Sequence, residues 1–140
     1  MAKKTRVPEK LRQQVRERAK GRCEYCLVHE DDLLFAFEAD HVIAEKHKGA
    51  TIFENLAWAC GVCNRFKGTD LSSIDPITNE IVPLFNPRRH QWHRHFRLNG
   101  AHIVPLTARG RATESLLQLN TEDRLLQRQA LLQQGRYPLR

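Results

Sequence analysis

The sequence predicts a small α+β protein that a zinc site with four cysteine ligands holds together. Its four cysteines form two Cys-x-x-Cys pairs, Cys23 with Cys26 and Cys60 with Cys63. Apolar residues at helical spacing mark segments near both ends of the chain, whereas strand patterns precede Asp40 and flank an Asn-Gly turn at residues 99–100. We therefore expect an N-terminal basic helix, a zinc-stapled centre and a C-terminal β-hairpin plus helices.

Size and composition narrow the class of protein. With 140 residues, 41% of them hydrophobic and 28% charged, the chain is expected to form one soluble domain over residues 1–140. Its apolar runs are too short for a membrane helix, and no apolar segment follows the basic N-terminus, so we expect neither a membrane span nor a secretory signal. A cytoplasmic location follows, where reduced cysteines favour metal ligation over disulfides.

The positive charge is concentrated in two zones. The net charge is +7, and residues 1–22 carry nine Lys or Arg against two Glu. Residues 23–54 hold eight acids against two lysines, whereas residues 65–111 hold eight basic residues against three acids. A polyanion bound by the basic zones and a divalent cation at the acidic centre would suit this layout. Solubility alone is the alternative explanation of the same charges.

The cysteine pairs predict a closed structural zinc site. Thiolates at positions i and i+3 of a tight turn can face one metal, and two such turns complete a tetrahedron around Zn²⁺. Because 33 residues separate Cys26 from Cys60, an inserted unit must lie between the pairs. The alternatives are a redox dithiol or buried free thiols, and the βαβ pattern of a thioredoxin-like motif is missing.

Local patterns place the secondary structure. We expect a basic arm over residues 1–7, a helix over residues 8–20, and a strand over residues 33–39 that leads into Asp40 and His41. Residues 51–59 fit either a helical turn or a short strand, and residues 61–67 form a second knuckle that passes into a helix. Further along we expect a strand at residues 81–85, a hairpin of residues 95–98 with 101–106, and helices over residues 113–119 and 122–134.

Four polar residues between and beside the knuckles are candidates for chemistry. The Asp40 carboxylate suits a hard divalent cation, and a neutral His41 imidazole suits proton abstraction from water near pH 7. The side-chain amides of Asn55 and Asn64 could orient a loop and ligate a cation, respectively. Taken singly, each residue has an ordinary explanation as a surface, turn or capping residue.

Taken together, these residues resemble the HNH endonuclease family with a zinc-knuckle framework. The resemblance rests on Cys-x-x-Cys, Asp-His, Asn-Leu, Cys-x-x-Cys-Asn and Lys-Gly, which follow one another in this order over residues 21–69. It implies a ββα-metal (His-Me finger) unit, with residues 70–140 as a C-terminal extension. Residues 84–88, with Trp92 and His95-Phe96, also resemble the extension of small stand-alone bacterial HNH proteins. One departure is Lys48-Gly49-Ala50, where many members have two glycines.

The resemblance implies a metal-dependent hydrolysis of DNA phosphodiester bonds. His41 would be the general base, Asp40 and Asn64 would bind a catalytic divalent cation such as Mg²⁺ or Mn²⁺, and Asn55 would position the loop and orient His41. Lys67, Arg65 or a residue of the 88–97 cluster would add positive charge at the transition state. One catalytic unit cuts one strand per event, so a double-strand break would need a homodimer or two encounters.

Two other functions use the same features. A non-catalytic, zinc-stabilised nucleic-acid-binding module explains the cysteines and the charge. A protein-interaction scaffold would use the leucines of the C-terminal helices as a docking face. The remaining histidines are expected to contact phosphates or to pack in the interior rather than form a second metal site, and they are His90, His93, His95 and His102.

Overall fold

The computed structural model describes residues 5–138, so the first four residues of the expected basic arm lie outside the described residues. These residues contain five α-helices and six β-strands. The helices are α1 (Glu9–Arg18), α2 (Gly61–Lys67), α3 (Trp92–His95), α4 (Ala108–Leu117) and α5 (Glu122–Gln133). The strands are β1 (Glu38–His41), β2 (Leu56–Ala59), β3 (Ser72–Ile74), β4 (Ile81–Pro83), β5 (Phe96–Asn99) and β6 (His102–Pro105).

The strands form three separate antiparallel pairs, β1 with β2, β3 with β4 and β5 with β6. In the first pair Asp40 lies opposite Ala57 and His41 lies opposite Leu56. Helix α2 begins directly after β2, with Cys60 as its N-cap residue. Two strands and a helix therefore follow one another in the segment that holds the second cysteine pair, Asp40 and His41, within a mixed α/β architecture.

One hydrophobic cluster joins the central segment to the C-terminal extension. Trp58 of β2 is fully buried beside Phe37, with 6.1 Å between the ring centroids. Tyr25 meets Phe85 edge to face at 6.3 Å, and the Trp92 indole donates a 2.9 Å hydrogen bond to the Tyr25 carbonyl oxygen. The extension is thus packed against the first knuckle rather than appended to it.

Helix α1 lies where the sequence predicted it, but two of its basic side chains pack on the protein. Val15 is buried on the inner face of the helix. Arg12 donates to the Phe37 carbonyl oxygen at 3.0 Å and its guanidinium lies 4.7 Å from the Trp58 ring centroid. Arg18 donates to the Phe53 carbonyl oxygen at 2.8 Å. These contacts use hydrogen-bond donors that a phosphate-binding helix would present to solvent.

The strand expected at residues 33–39 begins only at Glu38. Leu34 is 97% exposed and Phe35 is 82% exposed, so the alternating apolar pattern before β1 does not mark a buried strand face. The physical reason is the partner strand: β2 offers four residues, and its register pairs them with residues 38–41 alone. Residues 33–37 therefore have no ladder to join in this sheet.

The other helices and strands lie closer to the positions predicted from the sequence. Residues 53–55 form a 3-10 turn and β2 follows, which resolves the ambiguity over residues 51–59 in favour of a turn and then a strand. Strand β3 was not anticipated, and it exists because β4 pairs with it. Helix α4 begins five residues before its expected start, since the Thr107 hydroxyl accepts a 3.0 Å hydrogen bond from the Gly110 amide and caps it.

The hairpin around residues 99–100 and the last helix agree with expectation. Asn99 pairs with His102 across the turn, where Gly100 adopts a positive φ of 59°. Thr121 occupies the N-cap position of α5, but its side chain makes no capping hydrogen bond. Among residues 5–138, no helix is both long enough and apolar enough to cross a membrane.

Candidate active site and metal centre

The four cysteine sulfurs converge on one point. All four Sγ atoms lie within 4.8 Å of one another, and all four residues are buried. Sγ of Cys26 and Sγ of Cys60 are 3.8 Å apart. That separation matches the edge of a tetrahedron with Zn–S bonds of about 2.3 Å, which is ~3.8 Å. The residues present therefore fit a structural zinc ion, as the sequence predicted.

Each cysteine pair forms the same local turn. The Cys26 amide approaches Sγ of Cys23 at 3.5 Å, and the Cys63 amide approaches Sγ of Cys60 at 3.4 Å. Burial raises the pKa of Cys23 and Cys63, whereas hydrogen bonds with the thiols of Cys23, Cys60 and Cys63 lower the pKa of Cys26. The thiolate is the form that ligates a metal.

A residue that sequence reasoning missed lies against this cluster. Arg124 of α5 donates to Sγ of Cys63 at 3.0 Å and to Sγ of Cys60 at 3.8 Å. Burial alone lowers the pKa of Arg124, but the negative charges on Cys63 and Cys26 outweigh that effect and leave the pKa raised. The guanidinium therefore stays charged beside the sulfurs. No spacing rule links an arginine 61 positions away to Cys63, so the sequence carries no signal for it.

Three of the four predicted catalytic residues line a cleft away from the cysteine cluster, whereas Asn55 lines a separate cavity. Asp40, His41 and Asn64 border one open cleft of about 380 Å³ between β1, α2 and residues 5–12. Adjacent residues of a strand point to opposite faces, so Asp40 and His41 can share a cleft only where the strand ends. Strand β1 does end at His41. Asp40 is 2% exposed and His41 is 4% exposed, so both side chains lie at the base of the cleft.

The His41 ring is held through one nitrogen. Its Nε2 atom lies 2.8 Å from the Thr51 hydroxyl and 3.7 Å from a Glu45 carboxylate oxygen. Among residues 5–138, no group is hydrogen-bonded to Nδ1 of His41. An Nε2–H tautomer directed at Thr51 and Glu45 leaves the lone pair of Nδ1 available to accept a proton.

Asn55 fixes the loop that follows His41. Its side-chain nitrogen donates to the carbonyl oxygens of Ile43 at 2.9 Å and Ala50 at 2.8 Å, and its side-chain oxygen accepts from the Ile43 amide at 3.0 Å. None of its described hydrogen bonds reaches the imidazole, so any effect on His41 passes through the loop. A Cβ atom on Gly49 would lie 1.7 Å from the Ile43 carbonyl oxygen, which explains the glycine in this loop.

Asn64 lies on the first turns of α2, where the second knuckle becomes a helix. Its side-chain oxygen is buried and has no hydrogen-bond partner among residues 5–138. A buried acceptor without a partner costs about 1–3 kcal/mol, so such an atom calls for a ligand. It lines the same cleft as the Asp40 carboxylate, and two oxygen donors of this kind suit a hard divalent cation.

Lys67 is placed differently from the expectation of a cation that faces substrate. Its side chain is only 3% exposed, and its Nζ atom lies 2.9 Å from Oδ2 of Asp40. The same ammonium donates to the carbonyl oxygen of His41 at 3.0 Å. Within the described part of the chain, the cations that line the cleft are instead Arg6 and Arg12, which the sequence had marked only as members of a basic N-terminal segment.

Two of the four histidines of the extension, His90 and His95, pack against their neighbours, whereas His93 and His102 are exposed. Nδ1 of His90 accepts from the Asn86 amide at 3.0 Å, and Nε2 lies 2.7 Å from the Arg109 guanidinium. Nδ1 of His95 lies 2.8 Å from the Thr107 hydroxyl. Burial, with the charge of Arg109 second, lowers the pKa of both imidazoles. Within the described part of the chain, the four cysteines are the one group of three or more metal-ligating side chains of the types His, Cys, Asp and Glu.

Comparison with known proteins identifies the segment that holds both sites. The HNH endonuclease family model matches residues 23–70, about a third of the chain. No curated protein matches the chain, and no solved structure matches it. The matched segment begins at Cys23 and contains all four cysteines, β1, β2, α2 and the polar residues of the cleft. Residues 23–70 are therefore similar to the HNH endonuclease family.

Proposed function

We propose that the protein is a metal-dependent endonuclease that hydrolyses phosphodiester bonds of DNA. The observation that carries the proposal is the cleft in which Asp40, His41 and Asn64 meet, with the side-chain oxygen of Asn64 buried and without a hydrogen-bond partner among residues 5–138. The family match supports a nuclease chemistry for the same segment.

Asp40 and Asn64 would hold the divalent cation, Mg²⁺ or Mn²⁺, through one carboxylate and one amide oxygen. When bound there, such an ion stabilises the negative charge that develops on the phosphate and on the leaving 3′-oxygen. Both donors are fixed by secondary structure, Asp40 near the end of β1 and Asn64 in α2.

His41 is the general base of the proposal. Its Nδ1 atom accepts the proton of the attacking water while Nε2 keeps its hydrogen bond to Thr51. The carboxylate of Glu45, 3.7 Å from Nε2, stabilises the imidazolium that results. Asn55 contributes by holding the loop of residues 43–50 that carries Glu45.

The zinc ion of the proposal is structural and takes no part in the reaction. The four thiolates would occupy its whole coordination shell, which leaves no open position for water. Its role is to join the first knuckle to the start of α2, because Cys60 and Cys63 belong to the turn from which the helix grows. Asn64 follows Cys63 directly, so the metal centre positions a ligand of the second cation.

A plasmid assay tests the proposal. Supercoiled DNA is incubated with the protein in Mg²⁺, Mn²⁺ or EDTA, and we expect nicked circles only when a divalent cation is present. His41→Ala should abolish nicking and keep the zinc content and far-UV circular dichroism of the parent. His102→Ala is the matched control, because His102 is exposed on β6 and lies outside the cleft. Nicking by His41→Ala at the parental rate would refute the assignment.

The second candidate function is a zinc-stabilised module that binds nucleic acid without cutting it. The ion pair between Asp40 and Lys67 favours it, since that contact neutralises the carboxylate without a metal. A mobility shift with DNA in every buffer, together with intact plasmid in every divalent cation, would establish this function instead.

A further inference from the structure

We propose that Lys67 makes binding of the catalytic cation depend on the DNA phosphate. The inference rests on the proposed nuclease function and concerns the regulation of the same cleft. In this proposal the free protein holds a divalent cation weakly, and the protein–DNA complex holds it well. Lys67 is a positioning residue here, since its ammonium contacts Asp40 and not the substrate.

The ion pair is built into the fold. Asp40 and Lys67 are 2% and 3% exposed, and their charged atoms are 2.9 Å apart. The ammonium also reaches the carbonyl oxygens of His41 at 3.0 Å and Gly68 at 3.4 Å. Three acceptors surround one nearly inaccessible ammonium, so the positive charge lies beside the carboxylate.

Among residues 5–138, the charges around the cation position cancel. The proposed protein ligands are one carboxylate, Asp40, and one neutral amide, Asn64, and the ammonium of Lys67 offsets the carboxylate. The remaining charged side chains of the described chain that line the cleft also balance, and they are Arg6 and Arg12 against Glu9 and Glu38. Glu45 is the other carboxylate near His41, and it accepts hydrogen bonds from the Thr5 amide at 2.5 Å and hydroxyl at 2.6 Å.

A phosphodiester supplies what this donor set lacks. Affinity for hard cations rises with the number of charged oxygen ligands, so a neutral set of two protein donors binds them weakly. One non-bridging phosphate oxygen adds a negative charge and a third ligand at the same position. The cation and the phosphate should therefore bind cooperatively, each raising the affinity of the other by the same factor.

Titration with Mn²⁺ followed by electron paramagnetic resonance tests the inference without using cleavage. The zinc-loaded protein in the His41→Ala background, which keeps the DNA intact, is titrated alone and with a short duplex. We expect at least tenfold tighter Mn²⁺ binding in the presence of the duplex. The same titration of the Asp40→Asn variant measures the Mn²⁺ that binds to DNA phosphates outside the cleft, and it is subtracted.

The charge of Lys67 is tested by Lys67→Met, which keeps the length of the side chain and removes the ammonium. We expect this variant to bind Mn²⁺ without DNA at least tenfold more tightly than the parent, and to gain less from the duplex. Lys67→Arg keeps the positive charge and should bind Mn²⁺ as weakly as the parent. Equal affinity of Lys67→Met and the parent for Mn²⁺ would overturn the proposal.

If Lys67→Met fails to fold, the Mn²⁺ affinity of the parent protein with and without the duplex tests the inference. Equal affinity for Mn²⁺ with and without the duplex then overturns the inference, and a tenfold gain supports it. Failure of the nuclease function is seen separately, as an intact plasmid in every divalent cation. A protein that nicks DNA but binds Mn²⁺ equally in both states would keep the proposed function and lose this inference.

Discussion

Replacement of Arg124 by glutamine should loosen the zinc site without touching a metal ligand. The guanidinium donates to Sγ of Cys63 at 3.0 Å and to the Leu117 carbonyl oxygen at 2.8 Å, so it connects α5 to both the second knuckle and the end of α4. Glutamine is shorter and uncharged. It therefore removes the positive charge beside the sulfurs as well as the hydrogen bond.

The expected loss of zinc affinity follows from the contacts of Arg124. A hydrogen bond that involves a charged group contributes about 1.5–3 kcal/mol, and the Arg124 contact to Cys63 is of that kind. Loss of a group that hydrogen-bonds a metal ligand costs roughly 10- to 100-fold in metal affinity, or about 1.4–2.8 kcal/mol. The two figures agree, so we expect Arg124→Gln to weaken zinc binding by roughly 10- to 100-fold.

The assay is transfer of zinc from the protein to a chromogenic chelator, followed by absorbance over time. Arg97→Gln is the matched control, because Arg97 is an exposed arginine on β5. We expect the control to release zinc as the parent does and Arg124→Gln to release it much faster. Release at the parental rate by Arg124→Gln would show that the contact between the guanidinium and the sulfurs has no energetic consequence.

Three further predictions concern stability. Cys60→Ala should unfold the region around α2, since thiolate–metal bonds supply about 10 kcal/mol or more of folding free energy, and a variant as heat-stable as the parent in circular dichroism would contradict this. Asn55→Ala removes three hydrogen bonds of the loop, and we expect a loss of about 2–4 kcal/mol in urea denaturation; a loss below 1 kcal/mol would mean that water replaces the amide. The bidentate Arg111 guanidinium holds the pKa of Asp75 below its usual range, so the ion pair stabilises the fold above pH ~3.9 and its contribution falls as the pH drops below that value. In the Asp75→Asn variant, the free energy of unfolding should therefore fall less steeply at acidic pH than in the parent. An equal fall in both proteins would mean that other groups cause the loss of stability in acid.

Several features were predictable because their signals are local. The Cys-x-x-Cys spacing sets two sulfurs on one turn, the residues before Gly21 repeat at helical spacing, and Asn99-Gly100 favours a two-residue turn. The structure confirms the sulfur cluster, the helix and the hairpin. The family resemblance was also readable, since it depends on the order of residue types along the chain.

The strand before Asp40 shows where local signals fail. An alternating apolar pattern at residues 33–37 predicts a strand, but a strand exists only where a partner offers hydrogen bonds. Strand β2 ends after four residues, so the apolar side chains of Leu34 and Phe35 remain exposed. The residue at which β1 begins therefore depends on the length of its partner strand β2, which is distant in sequence.

The sequence by itself determined which residue types are present for zinc ligation and for a divalent cation, because those types and spacings are properties of the chain. Only the tertiary structure decided which charged side chains lie against these ligand residues. It places Arg124 against the cysteine sulfurs and Lys67 against Asp40, contacts that span 61 and 27 positions, respectively. Burying a charge is costly unless an opposite charge or a hydrogen-bond acceptor lies beside it, and no local pattern encodes which distant side chain supplies that contact.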